Sequence, residues 1–360
     1  MDATARLLDR AAAHCTGCPK LCRFACPVAV ADGRESSTPT AKMTLASRLA
    51  TGAVAPSARS VEPLYRCTGC QLQQTFCKHD VDVPDALEAA RAFAFERGAI
   101  PDRIAAALPR IRTDRDPASS DLRACAAAVR GAAGASVRLL PGCRMLRDDA
   151  DGCTRTARVL EKALESPVGV WDGVPICCGY PLHALGDRAA LAANGKALAK
   201  ALRGTARLVA ADPSCAFTLT TVYRELGVKL PCPVITLPEA LAAALPRLAH
   251  DRRRGERWVF HDPCHLGRRL SVYDPPRAIV AATGATVVEP PWSRAEARCS
   301  GFGGLYPILD PAAALEIARA RSSELLSAGA DGVATACPSC KLALTLGGSR
   351  NVKDVSEILE

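Results

Sequence analysis

Seven cysteines of this 360-residue chain stand in two short stretches near its start. The first stretch, HCTGCPKLCRFACPVA, ends its run of thiols directly before a proline, and the second reads CTGCQLQQTFCK. Thiolates are the ligands of zinc and of iron-sulfur clusters. Zinc fingers normally divide their ligands into pairs a dozen or more residues apart, whereas four of these thiols form one block, so the spacing favours iron-sulfur ligation over structural zinc. The seven are Cys15, Cys18, Cys22, Cys26, Cys67, Cys70 and Cys77.

The composition is that of a globular protein with two or three domains, with 49% apolar and 23% charged residues. No apolar run reaches the roughly 18 residues that a bilayer helix needs, and the first residues lack the apolar core of a signal peptide. We therefore expect a cytoplasmic protein, in which eighteen cysteines indicate metal or redox chemistry rather than disulfides. The net charge of +9 does not predict nucleic-acid binding, because aromatic residues are only 4% and the arginines are scattered. The exception, DRRRGER at residues 251–257, is interpreted as a solvated linker.

The pattern of the chain changes after residue 109. Before it, VPDALEAARAFAFERG predicts a helix that starts with Pro84 and ends at Gly98. The segment PRIRTDRDPASSD then predicts a linker. Beyond it, short apolar strands such as SVRLLPG, ARLVAAD, RWVFHD and DGVATA alternate with helical stretches, which is typical of βαβ units with parallel sheets.

The second half of the chain matches itself at a spacing of about 120 residues. LLPGCRML corresponds to HDPCHLGR, PICCGYP to ARCSGFGG, ADPSC to ACPSC, and LPEAL to VSEIL. Four ordered matches indicate a duplication. Several of its cysteines directly follow a strand, and the carboxyl ends of parallel strands form the crevice in which ligands bind. Each copy is therefore predicted to gather its thiols at one sheet edge.

The N-terminal cysteines resemble those of the two-cluster bacterial ferredoxins, whose run is C-x2-C-x2-C-x3-C-P and whose fourth cysteine ligates the other cluster. The resemblance implies one 4Fe-4S cluster on Cys15, Cys18, Cys22 and Cys77, and another on Cys67, Cys70 and Cys26. The first run has one extra residue before Cys22, and the second has Gln73 for its third cysteine and Lys78 for its proline. An amide is a poor iron ligand. The second site is thus expected to carry a 3Fe-4S cluster, a cubane with a foreign ligand, or a labile cluster.

The duplicated half resembles the cysteine-rich CCG domain of heterodisulfide reductase subunits, of glycolate oxidase iron-sulfur subunits and of the small subunit of anaerobic glycerol-3-phosphate dehydrogenase. In the reductases a full motif of five cysteines holds a non-cubane 4Fe-4S cluster that acts on disulfides. Here Asp212 replaces one cysteine of the first copy and Ser300 one of the second. Four thiols per copy suffice for an ordinary 4Fe-4S cluster, and a copy kept only for packing or docking is the alternative. The implied ligands are Cys143, Cys177, Cys178 and Cys215, then Cys264, Cys299, Cys337 and Cys340.

The resemblances together predict an α+β multidomain protein: a small α-helical two-cluster ferredoxin-like domain followed by two duplicated α/β CCG domains with parallel sheets. We expect the first domain at residues 1–112, a linker at 113–135, the first CCG domain at 136–248, a linker at 249–256 and the second CCG domain at 257–360. Cys125, Cys153 and Cys232 fit no motif and are interpreted as small buried residues. His261 and His265 bracket Cys264 and could tune a cluster, relay protons or serve only the core.

Neither a dinucleotide fingerprint nor a Ser-His-Asp signal is visible, so the chain is expected not to oxidise an organic substrate unaided. The leading hypothesis is an iron-sulfur electron-transfer subunit that relays electrons from a flavoprotein dehydrogenase partner to quinone or another carrier. Through a partner, including a membrane subunit, it could lie at the inner face of the membrane. The alternative from a second class is the catalytic subunit of a disulfide reductase that binds its substrate at a CCG cluster. A zinc-bound structural protein is the third.

Overall fold

The computed structural model describes residues 12–15, 17–113, 121–129, 131–248 and 252–359. The part before the duplicated half is helical: residues 12–15 form a helical turn, and seven α-helices and two 3-10 turns follow. The helices are α1 (Pro27–Asp32), α2 (Pro39–Ala50), α3 (Ala58–Tyr65), α4 (Leu72–Thr75), α5 (Val83–Phe95), α6 (Asp102–Thr113) and α7 (Leu122–Ala127), with 3-10 turns at Arg23–Ala25 and Glu35–Ser37.

The local sequence explains where these helices begin. Thr38 accepts a hydrogen bond from the Ala41 N–H ahead of Pro39, and Asp82 caps α5 in the same way ahead of Pro84. Ser57 and Ser60 form a reciprocal capping box at the start of α3. The apolar faces of α2, α3 and α5 then pack together in one core around fully buried side chains. These include Met43, Leu49, Leu64 and Leu87.

The duplicated half folds into two four-stranded parallel sheets of the same strand order. In the first sheet the order is β2-β1-β3-β4, and in the second it is β6-β5-β7-β8. The strands are β1 (Val137–Leu140), β2 (Val168–Val170), β3 (Arg207–Ala210), β4 (Val234–Thr236), β5 (Arg257–Phe260), β6 (Thr286–Val288), β7 (Gly332–Thr335) and β8 (Val352–Asp354). Central strands paired on both sides are covered on both faces by helices, which is why β7 is buried along its whole length.

Helices connect the strands in both repeats. In the first they are α8 (Cys143–Asp148), α9 (Ala150–Leu164), α10 (Tyr180–Leu185), α11 (Arg188–Ala201), α12 (Pro213–Phe217), a π-helix at Thr218–Val222, α13 (Tyr223–Glu225), α14 (Leu237–Ala242) and α15 (Leu245–Leu248). In the second they are a π-helix at His265–Arg269, α16 (Asp274–Ala281), a 3-10 turn at Arg294–Glu296, α17 (Tyr306–Leu309), α18 (Pro311–Leu326), α19 (Pro338–Leu346) and α20 (Val355–Ile358).

The two repeats pack through equivalent helices. Helix α9 of the first repeat contacts α20, the last helix of the second. Helix α16 of the second repeat contacts α14 near the end of the first in the corresponding way. Because equivalent helices of the two repeats pack against each other, the carboxyl ends of the two sheets are fixed in position relative to one another.

The helical region is docked on both repeats by buried polar side chains. Tyr65 donates to the carbonyl oxygen of Leu185 at 2.9 Å, and Arg91 donates to that of Ala184 at 3.2 Å. Toward the second repeat, Arg66 lies between Asp32 and Asp310, with 2.9 and 3.1 Å from its Nη1 to the carboxylates. The repeats are therefore connected to the N-terminal region by specific hydrogen bonds.

The fold class is confirmed: the structure combines a helical first part with two α/β units built on parallel sheets. The predicted helix is α5, with Pro84 in its first turn. The linker expected from residue 109 was wrong at its start, because α6 runs through Pro109 to Thr113. Helix α7 also lies inside the predicted 113–135 linker, whose residues 114–120 and 130 fall outside the described ones, as do residues 249–251 of the second linker. None of the helices in the described ranges has the length and apolar character that crossing a bilayer demands.

Candidate metal centres

The first set of thiols, Cys15, Cys18, Cys22 and Cys77, is brought together by the turn before α1 and the end of α4. Burial, and then the proximity of Cys77, Cys15 and Cys18, raises the pKa of Cys22 to about 12. Burial, and then the proximity of Cys77 and Cys18, raises the pKa of Cys15 to about 11. The Val81 N–H donates to the sulfur of Cys77 at 3.5 Å. The four thiols that the ferredoxin resemblance grouped thus lie near one another.

The second set, Cys26, Cys67 and Cys70, lies beside the first. Cys26 precedes Pro27 at the start of α1, and its thiol is near those of Cys70 and Cys67. Burial raises the pKa of Cys26 against the opposing effect of Lys42, an ammonium group that is only 1% exposed. The Gly69 N–H donates to the sulfur of Cys67 at 3.4 Å. Nothing in the sequence pattern singled out Lys42, since its position is set by the packing of α2.

Gln73 stands at the position of the missing third cysteine of the second set. Its side chain is buried, and its Nε2 has no hydrogen-bond partner among the described residues. An unpaired buried amide donor is costly unless another group binds it. The site around Gln73 is therefore polar and incomplete.

The third set, Cys143, Cys177, Cys178 and Cys215, gathers at the carboxyl edge of the first sheet, as predicted. Cys143 follows β1 and Cys215 follows β3. Side-chain contacts join Cys143 to Cys177, Cys177 to Cys178 and Cys178 to Cys215. The turn between them depends on glycine, because Gly179 has a φ of +90° and its N–H donates to the sulfur of Cys177 at 3.5 Å.

Asp212 occupies the place of the fifth cysteine in this first repeat. Its carboxylate caps α12 by accepting from the Ser214 N–H at 2.7 Å. At the equivalent point of the second repeat a cysteine caps the helix: Cys337 accepts a hydrogen bond from the Cys340 N–H at 3.4 Å at the start of α19. The substitution therefore keeps the helix start and removes one sulfur.

The fourth set, Cys264, Cys299, Cys337 and Cys340, lies at the carboxyl edge of the second sheet. Cys299 contacts Cys264, and Cys337 contacts Cys340. The hydroxyl of Ser300, which replaces the second cysteine of the motif, donates to the sulfur of Cys340 at 3.3 Å. The Gly301 N–H donates to the sulfur of Cys299 at 3.3 Å, which repeats the contact between Gly179 and Cys177.

Two histidines beside the fourth set are buried. His265 Nδ1 lies 3.5 Å from the sulfur of Cys264, and burial lowers the pKa of His265 to about 3. Burial also lowers the pKa of His261, whose Nδ1 accepts a hydrogen bond from Arg321 Nε at 3.2 Å. Both rings are therefore neutral at physiological pH. By contrast, His14 and His79 stack on each other at the surface, with ring centroids 4.8 Å apart.

The sets also lie close to one another. Cys22 of the first set is near Cys26 of the second. Cys70 of the second set and Cys299 of the fourth are in side-chain contact. Cys337 of the fourth set is influenced by the charge of Asp212, which precedes Cys215 of the third by three residues. Neighbouring thiols therefore link the first, second and fourth sets, and Asp212 places the third set near the fourth.

The donor chemistry of these sites fits iron-sulfur clusters. Thiolates ligate such clusters, and backbone N–H groups that point at ligand sulfur adjust their potential. The buried donors without a hydrogen-bond partner in the described part of the chain include Gln73 Nε2, His261 Nε2 and Arg321 Nη2. The thiols make pairwise contacts, and no three His, Cys, Asp or Glu side chains within the described ranges are arranged to hold a single metal ion.

The remaining cysteines are not part of any set. Cys153 is fully buried in α9 and Cys232 is 9% exposed, whereas Cys125 in α7 is half-buried against the core. Burial raises the pKa of Cys153 to about 12. Small apolar roles therefore suit Cys153 and Cys232 better than Cys125.

The family of the cysteine-rich domain, CCG, matches residues 137–220 and 258–345 of the chain. Each match covers most of one repeat, and together they contain every cysteine of the third and fourth sets. The duplication seen in the sequence is thus two copies of one domain.

Curated relatives are similar over most of the chain. One subunit of the dihydromethanophenazine:CoB--CoM heterodisulfide reductase of Methanosarcina acetivorans is 27% identical over 295 residues, which are 78% of this chain and 72% of the relative. One subunit of the fumarate reductase (CoM/CoB) of Methanothermobacter marburgensis is 28% identical over 78% of this chain and 56% of its own length. The EtfAB:quinone oxidoreductase of Syntrophomonas wolfei is 25% identical over 83% of this chain and 46% of its own. The chain spans about half the length of the last two.

Proposed function

We propose that this chain, which carries two CCG cysteine-rich domains, is an iron-sulfur subunit that passes single electrons within an oxidoreductase complex. The observation that carries this proposal is the succession of thiol sets, joined by the Cys22 to Cys26 proximity and by the contact of Cys70 with Cys299. Clusters held by the four sets would supply one-electron storage and transfer. The relatives support the proposal because they are oxidoreductase subunits or oxidoreductases by name.

The chain's own residues prepare these sites in three ways. Burial keeps water from the thiols, since Cys177, Cys178, Cys215 and Cys299 are at most 5% exposed. The N–H groups of Gly69, Gly179 and Gly301 point at ligand sulfurs and offset their negative charge. Burial lowers the pKa of His261 and of His265, which favours uncharged rings beside the fourth set.

We propose a flavoprotein dehydrogenase as the electron donor and quinone or another carrier as the acceptor. The support is the name of the Syntrophomonas relative, an EtfAB:quinone oxidoreductase, of which this chain spans less than half. Co-purification with a native partner, followed by identification of the partner's flavin, tests this pairing. A complex that contains no flavin would overturn it.

The cluster proposal is tested on anaerobically purified full-length protein. We expect a brown protein with broad absorption in the blue, and iron and acid-labile sulfide in roughly equal amounts, with at least about eight irons per chain if both N-terminal sites are filled. A colourless protein with stoichiometric zinc and no labile sulfide would refute the redox function and support the structural zinc alternative.

A disulfide reductase remains the second candidate function, because the Methanosarcina relative is a heterodisulfide reductase subunit by name. The structure offers it less support: Asp212 caps a helix and Ser300 donates a hydrogen bond where the full motif has sulfur. Addition of an organic disulfide to the reduced protein distinguishes the two functions. A disulfide-dependent change in the cluster spectrum is expected of a reductase, and an unchanged spectrum is expected of an electron relay.

A further inference from the structure

The loop after Cys299 lies directly on the backbone that carries the second set. A Cβ atom added to Gly303 would stand 2.2 Å from the carbonyl oxygen of Thr68, and one added to Gly304 would stand 3.0 Å from that of Cys67. Real Cβ atoms do not approach a backbone oxygen to 2.2 Å, so only glycine fits at position 303, and the contact at Gly304, where φ is +61°, is tight. The loop of the second repeat and the Cys67–Cys70 turn are thus packed backbone against backbone.

The surroundings of Cys299 belong mostly to the second set. Cys299 shares a small buried cluster with Ala25, Cys70 and Leu72. Its sulfur also lies 3.5 Å from the hydroxyl oxygen of Thr68. Ala25 adjoins Cys26, Thr68 adjoins Cys67, and Leu72 adjoins Gln73. Cys299 therefore contacts the Cys70 thiol of the second set and packs against residues that adjoin its other members, while Cys264 lies on its other side.

A guanidinium group fixes the two segments to each other. Arg268 donates through Nε to the carbonyl oxygen of Cys70 at 2.5 Å and through Nη1 to that of Ala297 at 2.8 Å. Thr75 adds a hydrogen bond to the carbonyl oxygen of Ala295 at 3.2 Å. Because Ala297 precedes Cys299 by two residues, these bonds fix the position of the Cys299 thiol relative to Cys70.

The second set lacks one thiolate for a 4Fe-4S cluster, and the neutral amide of Gln73 is a weak substitute. We propose that Cys299, reaching over from the second CCG domain, is the fourth ligand of the cluster on Cys26, Cys67 and Cys70. This inference rests on the proposed iron-sulfur function. On ligation the Cys299 thiol releases its proton to solvent and binds as thiolate. The fourth set then keeps Cys264, Cys337 and Cys340, with the Ser300 hydroxyl 3.3 Å from the sulfur of Cys340.

The test uses electron paramagnetic resonance of the oxidised full-length protein and its iron content. Any 3Fe-4S signal of the wild type, such as one from the three thiolates that remain in the fourth set, is expected to be unaffected by Gln73→Cys. Cys299→Ala is expected to lose about one iron per chain and to show a 3Fe-4S signal, because the second set is left with three thiolates. Adding Gln73→Cys to that variant restores a thiol at the ferredoxin position, so we expect the signal to disappear and the iron to return.

Cys264→Ala is the matched control, since Cys264 contacts Cys299 but belongs to the fourth set. Gln73→Cys is not expected to reverse any spectral change in that variant. If Cys299→Ala does not fold, Cys299→Val fills the volume without supplying a ligand atom and is interpreted in the same way.

Two results would overturn the inference. One is that Cys299→Ala shows no 3Fe-4S signal, or shows a signal that persists when Gln73→Cys is added. The other is a wild-type protein that already shows the signal and loses it with Gln73→Cys alone, which would mean that the second set binds without Cys299. Absence of labile sulfide from the wild type contradicts the proposed function itself and is measured separately.

Discussion

Arg66 ties the N-terminal region to the second CCG domain, and its replacement by methionine should destabilise the protein strongly. Its guanidinium binds Asp32 at 2.9 Å, Glu62 at 2.9 Å and Asp310 at 3.1 Å. The side chains of Arg66 and Asp32 are only 8% and 3% exposed. Methionine preserves much of the apolar volume but leaves the Asp32 carboxylate buried without its cation.

The expected cost follows from that burial. Removing one partner of a buried ion pair costs about 3–5 kcal/mol, because the remaining charge stays desolvated. Asp32 keeps hydrogen bonds from Ser37 at 2.5 Å and from Tyr306 at 3.1 Å, which places the expected loss near the lower end of that range. The pair of Arg23 and Glu35, about half exposed on both sides, provides the comparison, and Arg23→Met should cost far less stability than Arg66→Met because solvent screens an exposed pair.

The measurement is denaturant unfolding of both variants under anaerobic conditions, with Asp32→Asn added to Arg66→Met as a double-mutant cycle. If the cost arises from the uncompensated Asp32 charge, the asparagine restores part of the lost stability in the Arg66→Met background. Equal unfolding midpoints for Arg66→Met and Arg23→Met would refute the reasoning. So would a double variant, Arg66→Met with Asp32→Asn, that is less stable than Arg66→Met alone.

Two further variants test other contacts. Gly303→Ala places a Cβ against the Thr68 carbonyl, so the loop must shift; we expect a loss of about 1–3 kcal/mol and an altered cluster spectrum, measured by unfolding and paramagnetic resonance. Asp354→Asn tests pH dependence. Burial raises the pKa of Asp354 to about 6, so the protonated carboxyl is favoured in the folded state, and its contribution to stability is lost as the pH rises through 6. Asparagine keeps the bond from the Ser356 N–H, and the variant should be more stable than wild type by up to about 3 kcal/mol at pH 7.5, with the difference vanishing toward pH 4.

Each of these variants has a contradicting outcome. A Gly303→Ala protein with the wild-type spectrum and stability would mean that the loop does not press on the Cys67–Cys70 turn. For Asp354→Asn, the thermal unfolding midpoints of variant and wild type are compared at pH 4.5, 6 and 7.5. A difference that does not grow with pH would show that the wild-type carboxyl titrates normally.

The sequence predicted the features that depend on local pattern. Cys143 and Cys264 each follow an apolar strand, and parallel strands align their carboxyl ends, so the sheet edge could be predicted without coordinates. Pro109 misled the linker prediction, because a proline suggests a boundary but α6 continues through it. The contact of Cys70 with Cys299 could not be predicted, since it depends on how the helical region docks on the second repeat. Lys42 was missed for the same reason: its burial beside Cys26 is a product of tertiary packing.

The packing of Cys299 near Thr68 joins positions 231 residues apart and so bears on the order of events during synthesis. At roughly 5–20 residues per second, a ribosome needs about 10–50 s to pass from one to the other. For that interval the nascent helical region presents its thiols without the loop that later packs on them. With Cys299 as the proposed fourth ligand, the second set has only three of its four thiolates during this interval, so its cluster is completed only after the C-terminal repeat has been made and has packed on the helical region.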